Sequence, residues 1–296
     1  MHSIFVLGSL NTDLVIKTPY MPEAGETLTG LGFLTTFGGK GANQAAAAAR
    51  LGGHVTMAGC VGDDSFGGGM IANLAAFGVR TSPVRTVADT SSGVAVITVC
   101  DGNNRIILHP GANACVTEAD VDLLLVEAVA DDIFLVQAEI PTEIILYALK
   151  AAKARGMRTV FNPAPAKKEL TVCFPYTDIL TPNETELAIL TDGATPEEAA
   201  DRLGIQSLVV TLGGDGWYAN EGGAERRGAC PKVKVLDTTA AGDTFCGAMV
   251  VRLAAGHSLF DALPYASACA SLACTKLGAQ PSIPSLEEAE AFLASM

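Results

Sequence analysis

Positive charge is in short supply in this 296-residue chain: 19 lysines and arginines face 32 aspartates and glutamates, a net charge of −13 at pH 7. A surface of that sign repels a nucleic-acid backbone or an anionic bilayer, so neither is expected as a partner, and an anionic cosubstrate must be met by a local pocket. No run approaches the ~18 apolar residues of a membrane span. The start, Met1-His-Ser-Ile-Phe-Val-Leu-Gly8, lacks the basic residues and the length of a signal peptide, which leads to the expectation of a cytoplasmic protein. The eight cysteines contain no C-x-x-C pair and mostly sit among apolar neighbours, as reduced core thiols do. The four histidines make no H-E-x-x-H helix. The phosphate-loop spacing G-x-x-x-x-G-K-[ST] is missing too, and no G-x-G-x-x-G follows the first apolar run, which speaks against a dinucleotide-binding oxidoreductase. Charged residues make up only 17% against 49% hydrophobic, so a large buried core with little disorder is expected.

What the chain does have is small residues set between polar ones. Near the C-terminus stands Asp237-Thr-Thr-Ala-Ala-Gly-Asp243-Thr-Phe-Cys-Gly-Ala248. Val233-Lys-Val-Leu236 before it alternates like a strand, and Thr244 to Leu253 after it reads as a buried helix, which makes the stretch a strand-to-helix turn. Ala240, Ala241 and Gly242 carry almost no side chain, so their backbone N–H groups, aligned with the helix dipole, can close on a phosphate. A carboxylate beside an anion pocket repels the ligand unless it works on a proton, and general base catalysis is the work open to Asp243. The same letters also suit an N-cap, Asp before Thr-Phe being a common helix start.

Earlier in the chain, Ser3 to Gly8 is a short apolar run of the kind that forms the first buried strand of a parallel sheet. Asn11 and Asp13 follow just beyond its C-terminal end, where ligands of open α/β sheets bind, although both residue types also favour turns. Leu14-Val-Ile16 and Leu28 to Phe37 suggest two strands with no helix between them, a break in the βαβ rhythm that points to a separate small sheet. Phe37-Gly-Gly-Lys-Gly-Ala-Asn43-Gln then opens a long alanine-rich helix; its glycines allow close backbone approach to a ligand, and Asn43 in the first turn can address hydroxyl groups. Gly93 to Cys100 and Arg105 to His109, joined by Asp101-Gly-Asn-Asn104, read as a hairpin that can complete the small sheet. An exposed edge of that sheet needs covering, a motive for dimerisation. From residue 118 the rhythm is βα, with strands at Ile133 to Gln137, Arg158 to Phe161, Asp178 to Leu180 and Leu208 to Thr211. Glu139 lies at the end of its strand, or else as a solvated start to the next helix. Asn183-Glu-Thr-Glu186 begins an acidic helix, and Thr211-Leu-Gly-Gly-Asp-Gly216 is a glycine turn able to lie against a nucleotide. Such alternation specifies a mostly parallel central sheet flanked by helices.

Asn11 and Asp13, Gly38-Gly-Lys-Gly-Ala-Asn43, Glu139, Asn162-Pro-Ala-Pro, Thr181-Pro-Asn-Glu-Thr-Glu186, Thr211 to Gly216, Asp237 to Gly247 and Gly278-Ala-Gln-Pro-Ser-Ile283 span essentially the whole chain. Their order and lettering resemble the ribokinase-like (phosphofructokinase-B) family of sugar kinases. The resemblance implies a Rossmann-like α/β core of residues 1–12, 38–91 and 112–296, with a small β-sheet lid of residues 13–37 and 92–111. It is strongest to the ribose-phosphorylating members, and so implies ATP-dependent phosphorylation of D-ribose at the 5-hydroxyl; deoxyribose, a ketohexose or a nucleoside is the alternative acceptor. By the same resemblance, Asn11, Asp13, Gly39, Lys40, Asn43 and Glu139 hold the sugar, and Asp243 deprotonates it over the anion hole of Ala240, Ala241 and Gly242. Asn183, Glu186, Thr211, Gly213, Gly214, Gly216, Gly242 and, more weakly, Ser267 serve ATP and its Mg²⁺. A monovalent cation, K⁺, falls to Asp237, Thr239, Ala273, Lys276, Gly278 and Ser282, four of them through carbonyls; without the resemblance, Asp237 reads as a tie within its own loop. A homodimer through the lid sheet is also implied. Cys246 departs from the pattern, many relatives having Asn there. A catalytically silent sugar-binding protein is disfavoured because Asp243 and its turn are intact.

Overall fold

The computed structural model describes residues 1–101 and 103–296. β1 (Ile4–Leu7) leads into β2 (Asn11–Lys17) and β3 (Gly32–Gly38), then α1 (Lys40–Arg50), β4 (Val55–Gly62), α2 (Gly67–Ala76) and β5 (Val84–Val87). β6 (Gly93–Cys100) and β7 (Asn103–His109) follow, and then α3 (Glu118–Leu124), β8 (Ile133–Gln137), α4 (Thr142–Ala154), β9 (Arg158–Asn162) and β10 (Ile179–Leu180). The rest of the chain is α5 (Glu184–Thr191), α6 (Pro196–Leu203), β11 (Ser207–Thr211), β12 (Trp217–Glu221), β13 (Ala224–Gly228), α7 (Ala241–Ala254), α8 (Leu259–Ala273) and α9 (Leu286–Ala294).

Among the described residues the strands form two sheets, nine in the order β13-β12-β11-β10-β9-β8-β1-β4-β5 and four in the order β3-β2-β6-β7. From β5 to β11 every neighbouring pair is parallel. Successive side chains of a strand face opposite ways, and both faces of this sheet are covered: Ile4 and Val6 enter one core with α1, α7 and α8, while Phe5 and Leu7 enter another with α3 and α4. Both faces being dry explains why β1 and β8 read as unbroken apolar runs. The chain leaves β1 toward β4 on one side and returns to β8 on the other. The order reverses there, and ligands of such sheets bind in the crevice that the reversal opens beyond the strand ends.

Fold class and the separate four-stranded sheet agree with the sequence reading. Two local expectations need correction, and one lies partly outside the described residues. Val233–Leu236 is not a strand: it belongs to neither sheet, and the N–H groups of Leu236 and Asp237 bond instead to Cys274 O at the end of α8. The βα rhythm also fails after β11, where β12 and β13 add an antiparallel hairpin at the sheet edge. Arg226 and Arg227 of β13, exposed and lying over Phe260 and Tyr218, have the polar character of an edge strand. The hairpin turn read at residues 101–104 includes Gly102, which lies outside the described residues; β6 and β7 on either side pair antiparallel.

The alanine run of α1 has a packing purpose. Ala45, Ala46, Ala47 and Ala48 are fully buried, and Gly247 of α7 lies against them. A Cβ on Gly247 would stand 2.6 Å from Ala47 Cβ and 2.9 Å from Gln44 O. Gly247→Val is therefore expected to force the helices apart at a cost of about 1–3 kcal/mol, read as a lower urea midpoint with an unchanged slope. An unchanged midpoint would show that α1 and α7 can separate freely.

Candidate active site

Asp243 is not a helix cap. The N-cap of α7 is Ala240, in the left-handed region (φ 59°), without a side-chain cap, and Asp243 is the third helical residue. A non-glycine residue held in that region costs of order 1 kcal/mol and is characteristic of functional turns. Its effect is to leave the first N–H groups of the helix open. Ala241 N donates to Thr238 O at 3.2 Å, whereas the N–H groups of Gly242 and Asp243 have no partner among the described residues. Of the two N–H groups expected to meet a phosphate, that of Ala241 is thus engaged and that of Gly242 is open.

The Asp243 side chain turns back toward α1. Its Oδ2 accepts from Asn43 Nδ2 and its Oδ1 from Gln44 Nε2, both at 2.9 Å. Asn43 Oδ1 is buried with no partner, and so is free to accept from a ligand hydroxyl. Gln44 was not singled out from the sequence, yet it is the centre of a buried chain: Nε2 also donates to Asn162 Oδ1 at 3.0 Å, and Oε1 accepts from Gln137 Nε2 at 2.7 Å. Their signals were present. Gln44 is a fully buried carboxamide in an alanine helix, and Gln137 and Asn162 are polar residues ending apolar strands at their C-terminal edge.

Gly39 joins β3 to α1 with φ 90°, and a Cβ there would lie 2.8 Å from Asn11 N and Ser9 O; only glycine fits. The turn it makes brings Lys40 N to within 3.1 Å of Glu139 Oε2, which also accepts from Ser9 Oγ at 2.5 Å. Glu139 therefore lies at the strand edge and not in the first turn of α4. Asn11 and Asp13, buried, are extended residues of β2 and not turn residues. Burial, then the charges of Glu139 and Asp243, push the Asp13 carboxyl up to about 7. Burial works against the charge on Lys40, but Asp243, Glu139 and Glu186 outweigh it and hold the ammonium above the usual lysine value.

A cavity of about 220 Å³ is lined by Lys40, Asn162, Asn183, Glu186 and the Ala240–Asp243 turn. A larger one of about 470 Å³ is lined by Thr211, Gly213, Gly214, Gly216, Ser267 and, on the side formed by the segment misread as a strand, Val233 and Val235. The two share Thr211, Thr238, Ala241 and Gly242, so they meet at the open end of α7. Asn183 and Glu186 form the capping box of α5, Asn183 Oδ1 accepting from Glu186 N and Glu186 Oε2 from Asn183 N, both at 2.8 Å. Their sequence signal is thus accounted for by a helix start that also walls the smaller cavity. Burial raises the Glu186 carboxyl above its usual range against the pull of Asn183 and Lys40.

Residues 1–286 match the family described as pfkB family carbohydrate kinase. The chain belongs to that family. It is 40% identical over 302 residues to a ribokinase of Haemophilus influenzae, covering 98% of each chain. Among solved structures it is similar to a ribokinase of Thermotoga maritima (TM-score 0.90, 37% identity, 99% of this chain and 100% of that one). It is also similar to a ribokinase of Arabidopsis thaliana complexed with ribose and ATP (TM-score 0.88, 32% identity, 99% and 98%).

For this carbohydrate kinase, the remaining expected residues form a third group beside the turn. Asp237 Oδ1 accepts from Thr239 N at 2.9 Å and Thr239 Oγ1 at 2.6 Å, and its Oδ2 from Gly278 N at 2.9 Å. Burial opposes the Asp237 charge, but Thr239 and Gly278 together keep the carboxyl below its usual range. Ala273 and Lys276 share one turn at the end of α8, and the Lys276 ammonium points away to Glu288. Ser282 is buried and donates to Ala279 O at 2.7 Å, not to Asp237. Among the described residues no helix is long and apolar enough to cross a membrane, and no three His, Cys, Asp or Glu side chains cluster as metal ligands do.

Proposed function

We propose that this kinase transfers the γ-phosphoryl group of ATP to the 5-hydroxyl of D-ribose, giving D-ribose 5-phosphate and ADP. The observation that carries the reading is the placement of Asp243: a carboxylate oriented by two neutral amides, beside an uncapped helix N-terminus, where two cavities meet. Asp243 takes the proton of the attacking hydroxyl. The N–H groups of Gly242 and its neighbours, with the positive end of α7, meet the charge that spreads over the transferring phosphoryl oxygens. Asn11, Asp13, Gly39, Lys40, Asn43 and Glu139 hold the sugar. The larger cavity, walled by Thr211, the Gly213–Gly216 turn and Ser267, takes the nucleotide. Mg²⁺ would neutralise phosphate charge; Glu186, with one carboxylate oxygen free of the capping box, and Asn183 would hold it with the nucleotide.

Residues 13–37 and 92–111 act as a lid that excludes water from the transfer. Phe33, Val96 and Ile107 share one face of that sheet by register and are 67%, 43% and 74% exposed. An apolar sheet face this open suits a second copy of the chain; sedimentation equilibrium at micromolar protein distinguishes dimer from monomer. A coupled ADP-release assay across pentoses, ketohexoses and nucleosides tests the acceptor. Ribose is expected to give the highest kcat/KM, and turnover confined to a ketohexose or nucleoside would overturn the assignment.

K⁺ is assigned to the Asp237 loop. One carboxylate and the carbonyls of Thr239, Ala273, Lys276 and Gly278, with the Ser282 hydroxyl, are hard oxygens carrying a single negative charge, a set suited to a monovalent ion. The Lys276 ammonium is drawn off to Glu288 and does not pair with Asp237. Holding this loop preorganises the turn that follows it. Turnover in K⁺ is expected to exceed that in tetramethylammonium at equal ionic strength by about tenfold, a fraction of the 10²–10³ that outright loss of one oxyanion donor costs. Asp237→Ala should abolish the difference. Equal rates with both cations in the parent would leave Asp237 as a loop tie only.

A further inference from the structure

Asn11 and Asp13 lie on one face of β2, being two residues apart in a strand. What Asn11 can present to a ligand is decided elsewhere. Asn113, in the turn after β7 and only 1% exposed, makes three hydrogen bonds. Its Oδ1 accepts from Leu10 N at 2.9 Å, and its Nδ2 donates to Leu10 O at 3.1 Å and to Asn11 Oδ1 at 2.7 Å. A backbone N–H can only donate and a carbonyl can only accept, so Leu10 dictates which end of the Asn113 carboxamide is which. Asn113 must then offer N–H to Asn11. The Asn11 oxygen is thereby used, and its Nδ2, without a protein partner among the described residues, is the group left for a ligand. The fit leaves no slack: a Cβ on Gly93, which pairs with Asn11 across β6, would stand 2.2 Å from both Asn11 Oδ1 and Asn113 Nδ2.

Resting on the proposed sugar site, we infer that Asn113 is a positioning residue that sets the hydrogen-bond polarity of that site. The direction of the Leu10 peptide is relayed through Asn113, so that Asn11 offers a donor next to the acceptor offered by Asp13. A donor and an acceptor side by side match vicinal hydroxyls, one accepting from Asn11 and the other donating to Asp13. Asn113 reaches this position from a segment about a hundred residues away, and it ties the entry to the small sheet at Leu10 to the exit from it after β7.

The test is steady-state kinetics of parent, Asn11→Ala, Asn113→Asp and the double variant with ribose and its 1-, 2- and 3-deoxy analogues. Asn113→Asp is isosteric but cannot donate to Asn11, whose amide must turn its donor inward. Ribose KM is expected to rise about tenfold, the size of one lost hydrogen bond, with kcat within threefold and the KM for ATP within twofold. The rise should vanish for the one deoxy analogue that lacks the hydroxyl served by Asn11, and should vanish in the Asn11→Ala background. An equal penalty on every analogue, as a merely structural defect would give, overturns the inference. So does an unchanged ribose KM in Asn113→Asp when Asn11→Ala raises it. An unchanged ribose KM in Asn11→Ala instead removes Asn11 from the sugar site, and the inference with it. Should Asn113→Asp melt below the assay temperature, Asn11→Asp takes its place, since it keeps the Leu10–Asn113 bonds and turns the presented donor into an acceptor: the rise in KM should again vanish for the one analogue lacking the hydroxyl served by Asn11, and an equal penalty on every analogue overturns the inference.

Discussion

Asp243→Asn is expected to lower turnover about 10²- to 10⁴-fold, the usual worth of a general base, while the fold and most of the nucleotide affinity remain. The substitution is isosteric, and the site can absorb it. The amide oxygen can still accept from Gln44 Nε2; the new N–H₂ faces Asn43, whose carboxamide can turn its unpartnered oxygen toward it. What is lost is the lone pair proposed to take the proton of the attacking hydroxyl. The open N–H groups at the start of α7 are untouched, so nucleotide KM should move little. Single-turnover measurement at saturating ribose and MgATP isolates the step, and turnover within a factor of two of the parent would remove Asp243 from the role of base.

Asp13→Asn is expected to raise the stability of the ligand-free protein at pH 8 and to leave it nearly unchanged at pH 4. Burial and the charges of Glu139 and Asp243 bring this carboxyl to about 7 in the fold against 3.8 as its ordinary value. Between those values the folded protein keeps a proton that the unfolded chain has released, so the contribution of Asp13 to stability is intact below about pH 4 and is lost as pH rises toward 7. At 1.36 kcal/mol per pH unit the loss reaches up to about 4 kcal/mol, roughly 5–10 °C in melting temperature for a chain of this size. The Asn variant escapes it. The difference in Tm, variant minus parent, should grow from pH 4 to 7 and then level; a difference independent of pH would overturn the account. Ribose KM should rise in the same variant, because an amide cannot replace a carboxylate as a pure acceptor. Stability given up at the proposed sugar site is what such a cluster of carboxylates leads one to expect.

Much of this was legible in the chain as written. The apolar runs at Ser3–Gly8, Ile133–Gln137 and Leu208–Thr211 read as strands covered on both faces, which made the parallel α/β core readable, and the missing helices between residues 14 and 37 pointed to the second sheet. Small residues at 240–242 and the glycines at 38, 39 and 41 marked where backbone must come close to something. These are properties of a residue against its own element, and periodicity and side-chain size report them directly. Partners across the fold are a different matter. Asp243 meets Asn43 and Gln44 across about 200 residues, Gln44 meets Gln137 and Asn162, and Asn11 is oriented by Asn113. No spacing encodes those pairs, because they arise only when right-handed crossovers set β1, β8 and β9 side by side and the alanine face of α1 lets α7 approach closely. For the same reason Val233–Leu236 alternates like a strand yet is none: it joins neither sheet, and the N–H groups of Leu236 and Asp237 go to Cys274 O instead. Sequence alone thus determined which residues could do chemistry, and the tertiary structure decided which of them face one another, since a hydrogen bond depends on where two segments meet and not on what either one is.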